Sequence, residues 1–277
     1  MIQHARRFML WLALSMPLLA LAAELPPLRL GIMPFNSTLA LIKTHQPLRQ
    51  HLETALGRPV EIYTAADYAA FHNDSLAGQF DLLITGPHFG VMCLERGYLP
   101  LFHYATSLRP IFVLRADAGI REVGQLRGKR IGLSNRLSVS SIVGLKWLED
   151  QGLRINQDFQ VYERSTHGAA IAAVAVGDLD AALTTYTPLK QVPADIRAQV
   201  TELPTSVQMP HLMTLAHARL GDRGVEQLRA ALRAFPATPE GQVFFRETGY
   251  QGYDPINPAD VRALQPYVPI VRRMMGM

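Results

Sequence analysis

The 277-residue chain has one cysteine, Cys93, so no intramolecular disulfide can brace it in any compartment. It lacks a dense Lys/Arg block, and charged residues make up only 18% of it, which argues against a nucleic-acid partner. Its 9 histidines never fall at close metal-ligand spacing, so no metal site and no cofactor is expected. A G-x-S-x-G nucleophile elbow is missing too, and no catalytic residue is assigned. Neither an internal repeat nor a low-complexity segment occurs, which disfavours an adhesion or scaffold role.

What is present is a globular composition, 48% hydrophobic, long enough for one large domain or two lobes. The N-terminus reads separately. Arg6 and Arg7 precede an apolar run from Phe8 to Leu19, and Ala20-Leu21-Ala22 supplies a small-residue cleavage site before Ala23-Glu24. That pattern predicts a secretory signal peptide over residues 1–22, too short for a good membrane-spanning helix. Arg6-Arg7 with Met9-Leu10 weakly resembles a twin-arginine signal, but ordinary export to a periplasm is the expectation. Cleavage would remove two arginines and no acid, lowering the net charge from +4 to +2. No lipobox cysteine follows, so lipid anchoring is not expected.

Beyond it, strands and helices alternate. Leu28–Met33, Val60–Tyr63, Phe80–Thr85, Leu101–Thr106 and Ile111–Arg115 read as strands. Long and short helices intervene, Leu39–Leu56 stopped by Gly57 and Tyr68–Ala77 capped by Asp67. A second series follows: strands at Arg130–Leu133, Phe159–Tyr162, Asp180–Thr184 and Val200–Leu203, with a returning strand at Leu212–Ala216. Three helices close the chain, over Val225–Ala234, Glu240–Thr248 and from Ala259 onward. The alternation predicts an α/β protein with parallel sheets, in two lobes joined by crossings near residues 107–110 and 204–211. Lobe 1 is expected over residues 23–108 plus 210–277, and lobe 2 over 109–209, with ligand loops beyond the carboxyl ends of strands.

One such loop concentrates hydroxyls. Ser134-Asn135-Arg136-Leu137-Ser138-Val139-Ser140-Ser141 leads from an apolar strand into an apolar-periodic helix. Helix-start N–H groups lack intrahelical partners and carry partial positive charge, so with Ser138, Ser140 and Ser141 they suit a small oxyanion. The plain alternative is a helix start in which one serine caps and the others face water. His167 stands at another helix start, able to donate to an anion or to face solvent. Thr85 and His88 lie where the first lobe could close the site, although Thr85 could equally cap a helix. Phe35 is either a wall for an organic substituent or core, and Tyr186 either a donor or packing. Asp180 reads as a residue that orders backbone.

Several of these segments together resemble the phosphate/phosphite/phosphonate substrate-binding proteins of ABC transporters. They are Leu30-Gly31-Ile32-Met33-Pro34, the run Phe80 to Pro87 with its D-x-x-x-x-G-P turn, Ile111 to Ile120 and Leu126 to Gly132. His167 with Val174 to Ala182 matches the family's H … V-x-x-G-x-x-D-A pattern. The resemblance implies a two-lobed type 2 periplasmic-binding-protein fold with a cleft that closes on its ligand. It also implies that Ser138, Ser140 and His167 sit where the family grips an oxyanion. Where phosphonate binders of the family carry Ser-Thr-Ser-Gly, this chain has Ser138-Val139-Ser140-Ser141; Val139 loses a hydroxyl but keeps its backbone N–H. The expected ligand is therefore a phosphonate, phosphite or phosphate-like anion. The expected partner is an ABC permease, or alternatively a membrane sensor kinase or chemoreceptor. An enzyme on the same fold, with Ser138 or Ser140, His167 and Asp180 as a triad, is the rival class.

Overall fold

The computed structural model describes residues 25–277, so the expected signal peptide lies outside the described residues. The first part of the chain forms β1 (Leu28–Ile32), α1 (Thr38–Leu56), β2 (Val60–Tyr63), α2 (Tyr68–Leu76), β3 (Leu82–Thr85), α3 (Pro87–Leu94) and β4 (Tyr98–Tyr104). The second part holds β5 (Pro110–Arg115), β6 (Arg130–Leu133), α4 (Val139–Asp150), β7 (Gln160–Glu163), α5 (His167–Ala175), β8 (Ala181–Thr185), α6 (Tyr186–Gln191), α7 (Ala194–Arg197) and β9 (Val200–Pro204). The chain then returns through β10 (Met213–His217), α8 (Gly221–Ala234), α9 (Pro239–Thr248), β11 (Tyr253–Pro255), α10 (Pro258–Leu264) and α11 (Val268–Met274).

Local chemistry sets these boundaries. Ser37 caps α1 by accepting the Ala40 N–H at 3.3 Å, and Gly57, at φ 61°, takes the left-handed position that ends it. Asp67 caps α2 at 2.8 Å. The segment Gly119 to Arg127, which reads as a short helix, keeps only a 3₁₀ turn at Val123–Leu126.

Two sheets result, ordered β11-β4-β10-β3-β1-β2 and β7-β6-β8-β5-β9. They are mixed, not parallel as the alternation predicts. Parallel pairing is kept around β1 and β6, but β10 runs antiparallel to both β3 and β4, and β5 antiparallel to both β8 and β9. Apart from the short edge strand β11, antiparallel to β4, the reversals occur at strands that follow a crossing. A crossing delivers its strand from the other sheet, so no right-handed helical crossover fixes its direction. The fully buried strands β3 and β8 lie inside their sheets, while the half-exposed β2, β7 and β9 form edges.

The two crossings run side by side. Leu108 and Met209 exchange backbone hydrogen bonds of 2.9 and 3.0 Å, tying the outward strand to the returning one. The core of the first sheet extends across the junction, since Val139, Ile142 and Val143 at the start of α4 join its cluster. Gly144 brings α4 down onto the second sheet. A Cβ there would stand 2.5 Å from Leu183 Cδ1 of β8, so any other residue would force the Leu183 side chain or α4 to move. That contact holds the beginning of α4 beyond the end of β6, facing the first sheet.

Candidate functional site

A cavity of about 50 Å³ lies between the two sheets. By this measure a water occupies ~10–15 Å³, so the space matches roughly four waters, the scale of a small anion. The second sheet supplies hydrogen-bonding groups: Ser138, Ser140, His167, Thr185, Thr187 and Gln191 border it. The first sheet and the crossings supply mostly apolar and aromatic surface: Met33, Phe35, Leu108, Leu212, Tyr68 and Tyr250, with His211 among them. A recess of about 170 Å³ adjoins it, sharing Phe35, His167, Pro188 and Gln191 and adding Asn36 and Gly168. No Asp, Glu, Lys or Arg lines either space.

Ser138 is the N-cap of α4, its Oγ accepting the Ser141 N–H at 3.2 Å. The same hydroxyl donates to Ser141 Oγ at 2.7 Å and stands 3.0 Å from Ser140 Oγ. A serine has a single O–H, so once Ser138 donates to Ser141 the Ser140 hydroxyl becomes the donor to Ser138. Ser140 can redirect that hydrogen to a ligand oxygen at the cost of one neutral hydrogen bond, about 1 kcal/mol. The N–H groups of Val139 and Ser140 have no partner among the described residues, as expected of a first helical turn. Ser141 is fully buried, turned toward Ser138, and does not line the cavity.

His167 opens α5 behind the N-cap Thr166. Its ring borders the cavity, yet both nitrogens are engaged, Nε2 with Ser134 Oγ at 3.1 Å and Nδ1 with Thr184 Oγ1 at 3.0 Å. Burial pushes its pKa down to about 4, so the ring is neutral and orders the hydroxyls around it. Burial raises the pKa of Tyr68, at the start of α2, an effect that the Ser134 hydroxyl tempers. Ser134, His167 and Thr184 thus form one hydrogen-bonded chain within the second unit. What α5 offers a ligand directly is its first N–H groups, those of His167 and Gly168.

Three other expected positions lie elsewhere. Thr85 is buried, and its hydroxyl faces Met33 Sδ at 3.8 Å, so Met33 rather than Thr85 borders the cavity. His88 is fully buried and donates from Nε2 to the Leu137 carbonyl at 2.8 Å, a bond from α3 to the loop before α4. Burial holds it neutral, with a pKa near 4, and its role in the structure is to join the two units. Tyr186 is 47% exposed and packs under Lys190, whose Nζ lies 4.6 Å from the ring centroid. Tyr186 opens α6 with its side chain outward, while Thr185 at the end of β8 and Thr187 one residue on in the helix are buried. Phe35, left between wall and core, does both: it borders the cavity and packs against the main core cluster.

The candidate triad of Ser138 or Ser140, His167 and Asp180 is not assembled. Asp180, at the entrance to β8, accepts the Arg130 N–H at 2.8 Å and binds its guanidinium, the backbone-ordering role its position suggests. His167 spends both nitrogens on hydroxyls and none on a carboxylate. Among the described residues no group of three or more His, Cys, Asp or Glu could hold a metal ion. The cavity residues that sequence reading missed, Tyr68, His211, Gln191 and Tyr250, come from places where no local signal marks a site. Thr185 and Thr187 were hidden beside the more conspicuous Tyr186.

Solved structures share this architecture. PhnD1 from Prochlorococcus marinus, in complex with methylphosphonate, superposes with a TM-score of 0.76 at 14% identity, over 90% of this chain and 98% of that one. The protein XAC2383 from Xanthomonas citri, bound to chloride ion, gives 0.73 at 18% identity over the same shares. The periplasmic aliphatic sulphonate binding protein SsuA from Escherichia coli gives 0.65 at 16%, over 91% of this chain and 95% of that one. At such identities these likenesses establish the α/β periplasmic-binding-protein fold. A family model, that of the periplasmic substrate-binding protein of phosphonate ABC transporters, matches residues 30–261. Members of that family bind and deliver a solute to an ABC importer and are transport proteins, not enzymes. The chain belongs to this family of periplasmic substrate-binding proteins.

Proposed function

We propose that the protein captures a small oxyanion of the phosphonate, phosphite or phosphate class in the cavity at the start of α4, and that two lobes, residues 23–108 with 210–277 and residues 109–209, close on it. The observation that carries this reading is the conjunction of free Val139 and Ser140 N–H groups with the buried Ser138 and Ser140 hydroxyls at one end of a cavity of about 50 Å³. Helix-start dipoles and hydroxyls stabilise an anion without a formal positive charge, and they do so most strongly where water is excluded. Apolar surface faces them from the other side, which suits an alkyl substituent. The lack of any lining carboxylate leaves an ammonium substituent without a counter-charge.

In this reading residues 1–22 direct export and the closed form docks on an ABC permease. The test is titration of the purified protein with methylphosphonate, phosphite, phosphate, 2-aminoethylphosphonate and sulfate, followed by calorimetry and by thermal unfolding. A saturable rise in Tm with a phosphorus oxyanion is expected, because a ligand that binds only the native state stabilises it. Absence of any heat or Tm shift across the panel rejects the assignment.

A further inference from the structure

His211 belongs to the returning crossing, a segment that carries no helix start and no serine cluster. Its ring is 4% exposed and stands edge-on to Tyr104 and Tyr250, at centroid distances of 5.7 and 4.9 Å. The Leu212 N–H donates to His211 Nδ1 at 2.8 Å. A neutral imidazole has one donor and one acceptor nitrogen, so an Nδ1 occupied as acceptor fixes the proton on Nε2. Burial, with His103 as the nearby titratable group, lowers the ring's pKa to about 3 and keeps it neutral. His103 itself is turned to the Tyr104 carbonyl and to Asp260, not to His211.

Nε2–H has no hydrogen-bond partner among the described residues, and it is not closed off from the cavity. The ring borders the cavity, where no carboxylate competes for the proton. Open to the cavity and unpartnered within the protein, this donor is free to meet an anion oxygen placed there.

We propose that His211 is a ligand-binding residue: its Nε2–H donates to an oxygen, or to a second polar atom, of the anion gripped at the start of α4, so the ligand is held from the crossing as well as from the second sheet. This rests on the functional reading above. The fixed tautomer makes the site selective, since it offers a donor and no acceptor. An unprotonated oxygen is accepted there, and a group that must itself donate is refused.

Three measurements on the purified protein test it, with methylphosphonate and inorganic phosphate as probes. First, ¹⁵N-histidine NMR of the wild type should show the Nε2–H tautomer for His211, and its Nε2 proton should shift on adding the probe. Second, His211→Phe, which keeps an aromatic ring among the tyrosines, should weaken binding about ten- to a hundredfold, as loss of a hydrogen bond to a charged group does. Third, His211→Gln, which restores an N–H donor, should recover part of that loss. An Nδ1–H tautomer, an unmoved Nε2 proton, or His211→Phe affinity within twofold of wild type would overturn the proposal. If the probes bind, and Ser138→Ala/Ser140→Ala abolishes binding while His211→Phe does not, only the role of His211 falls. If no probe binds the wild type, both readings fall.

Discussion

The two sides of the cavity are built by opposite means. On the second sheet the densest donors are local: Ser138, Val139 and Ser140 are consecutive, and a single helix start presents their hydroxyls and N–H groups together, with His167, Thr185, Thr187 and Gln191 around them. On the other side Met33, Tyr68, Leu108, His211 and Tyr250 come from distant stretches and meet only because the first sheet and the crossings bring them together. The first side offers dipoles that any well-capped helix would have. The second excludes water, which is what makes those dipoles strong. The difference gives the proposed site two separable parts: if the reading holds, the local side should decide whether an anion is held, and the assembled side which one.

The largest effect should come from attacking the local side directly. Ser138→Ala/Ser140→Ala should abolish measurable anion binding by calorimetry, while loss of the cap costs about 1 kcal/mol of stability in denaturant unfolding. Retained binding in the double variant would break the comparison, since the helix start would then not be the grip. Next is the position that places it. Gly144→Val forces a Cβ to within 2.5 Å of Leu183 Cδ1 as the backbone stands. The variant should lose about 1–3 kcal/mol of stability by overpacking, and affinity should fall because α4 is displaced.

The assembled side predicts selectivity. Methylphosphonate should bind at least about tenfold more tightly than 2-aminoethylphosphonate, because burying an ammonium without a partner is unfavourable. Equal affinities would mean that the substituent stays in water. Acid should weaken the join between the sides. His45, His72 and His88 are buried and held neutral, with pKa values near 4, 3 and 4, chiefly by desolvation. Their unfolded rings take up protons below about 6.5, so this stability is complete above that pH. It is lost as pH falls toward 4, by up to about 1.4 kcal/mol per pH unit for each ring. His88→Gln should flatten the pH dependence of unfolding between pH 6.5 and 4.5 by up to one proton, and an unchanged slope would place the titration elsewhere. The smallest effect is expected from Tyr186→Ala. With its ring outside the cavity, affinity should stay within about twofold.

How much was legible in the chain follows the same division. The serine stretch declares itself because strand, hydroxyls and helix are contiguous, and the cap at Ser138 and the stop at Gly57 are one-residue signals with fixed chemistry. Two α/β series and their crossings are visible as well. Strand direction is not, since alternation of strand and helix looks the same whether a returning strand runs with or against its neighbours. The short β11 is likewise silent, because three residues at a sheet edge carry no period.

For the site, His167 stands out as a histidine at a helix start, but its commitment to Ser134 and Thr184 depends on where β8 places Thr184. His88 looks like a ligand donor in sequence and proves to be a bond between the units, since its partner Leu137 lies 49 residues away. His211 carries no mark at all. By itself the sequence determined the fold class, the family and the helix start, because these rest on neighbouring residues and on hydrophobic period. Only the tertiary structure decided which side chains face the cavity and which histidine nitrogens are left free, because those depend mostly on partners that the backbone brings together from far apart.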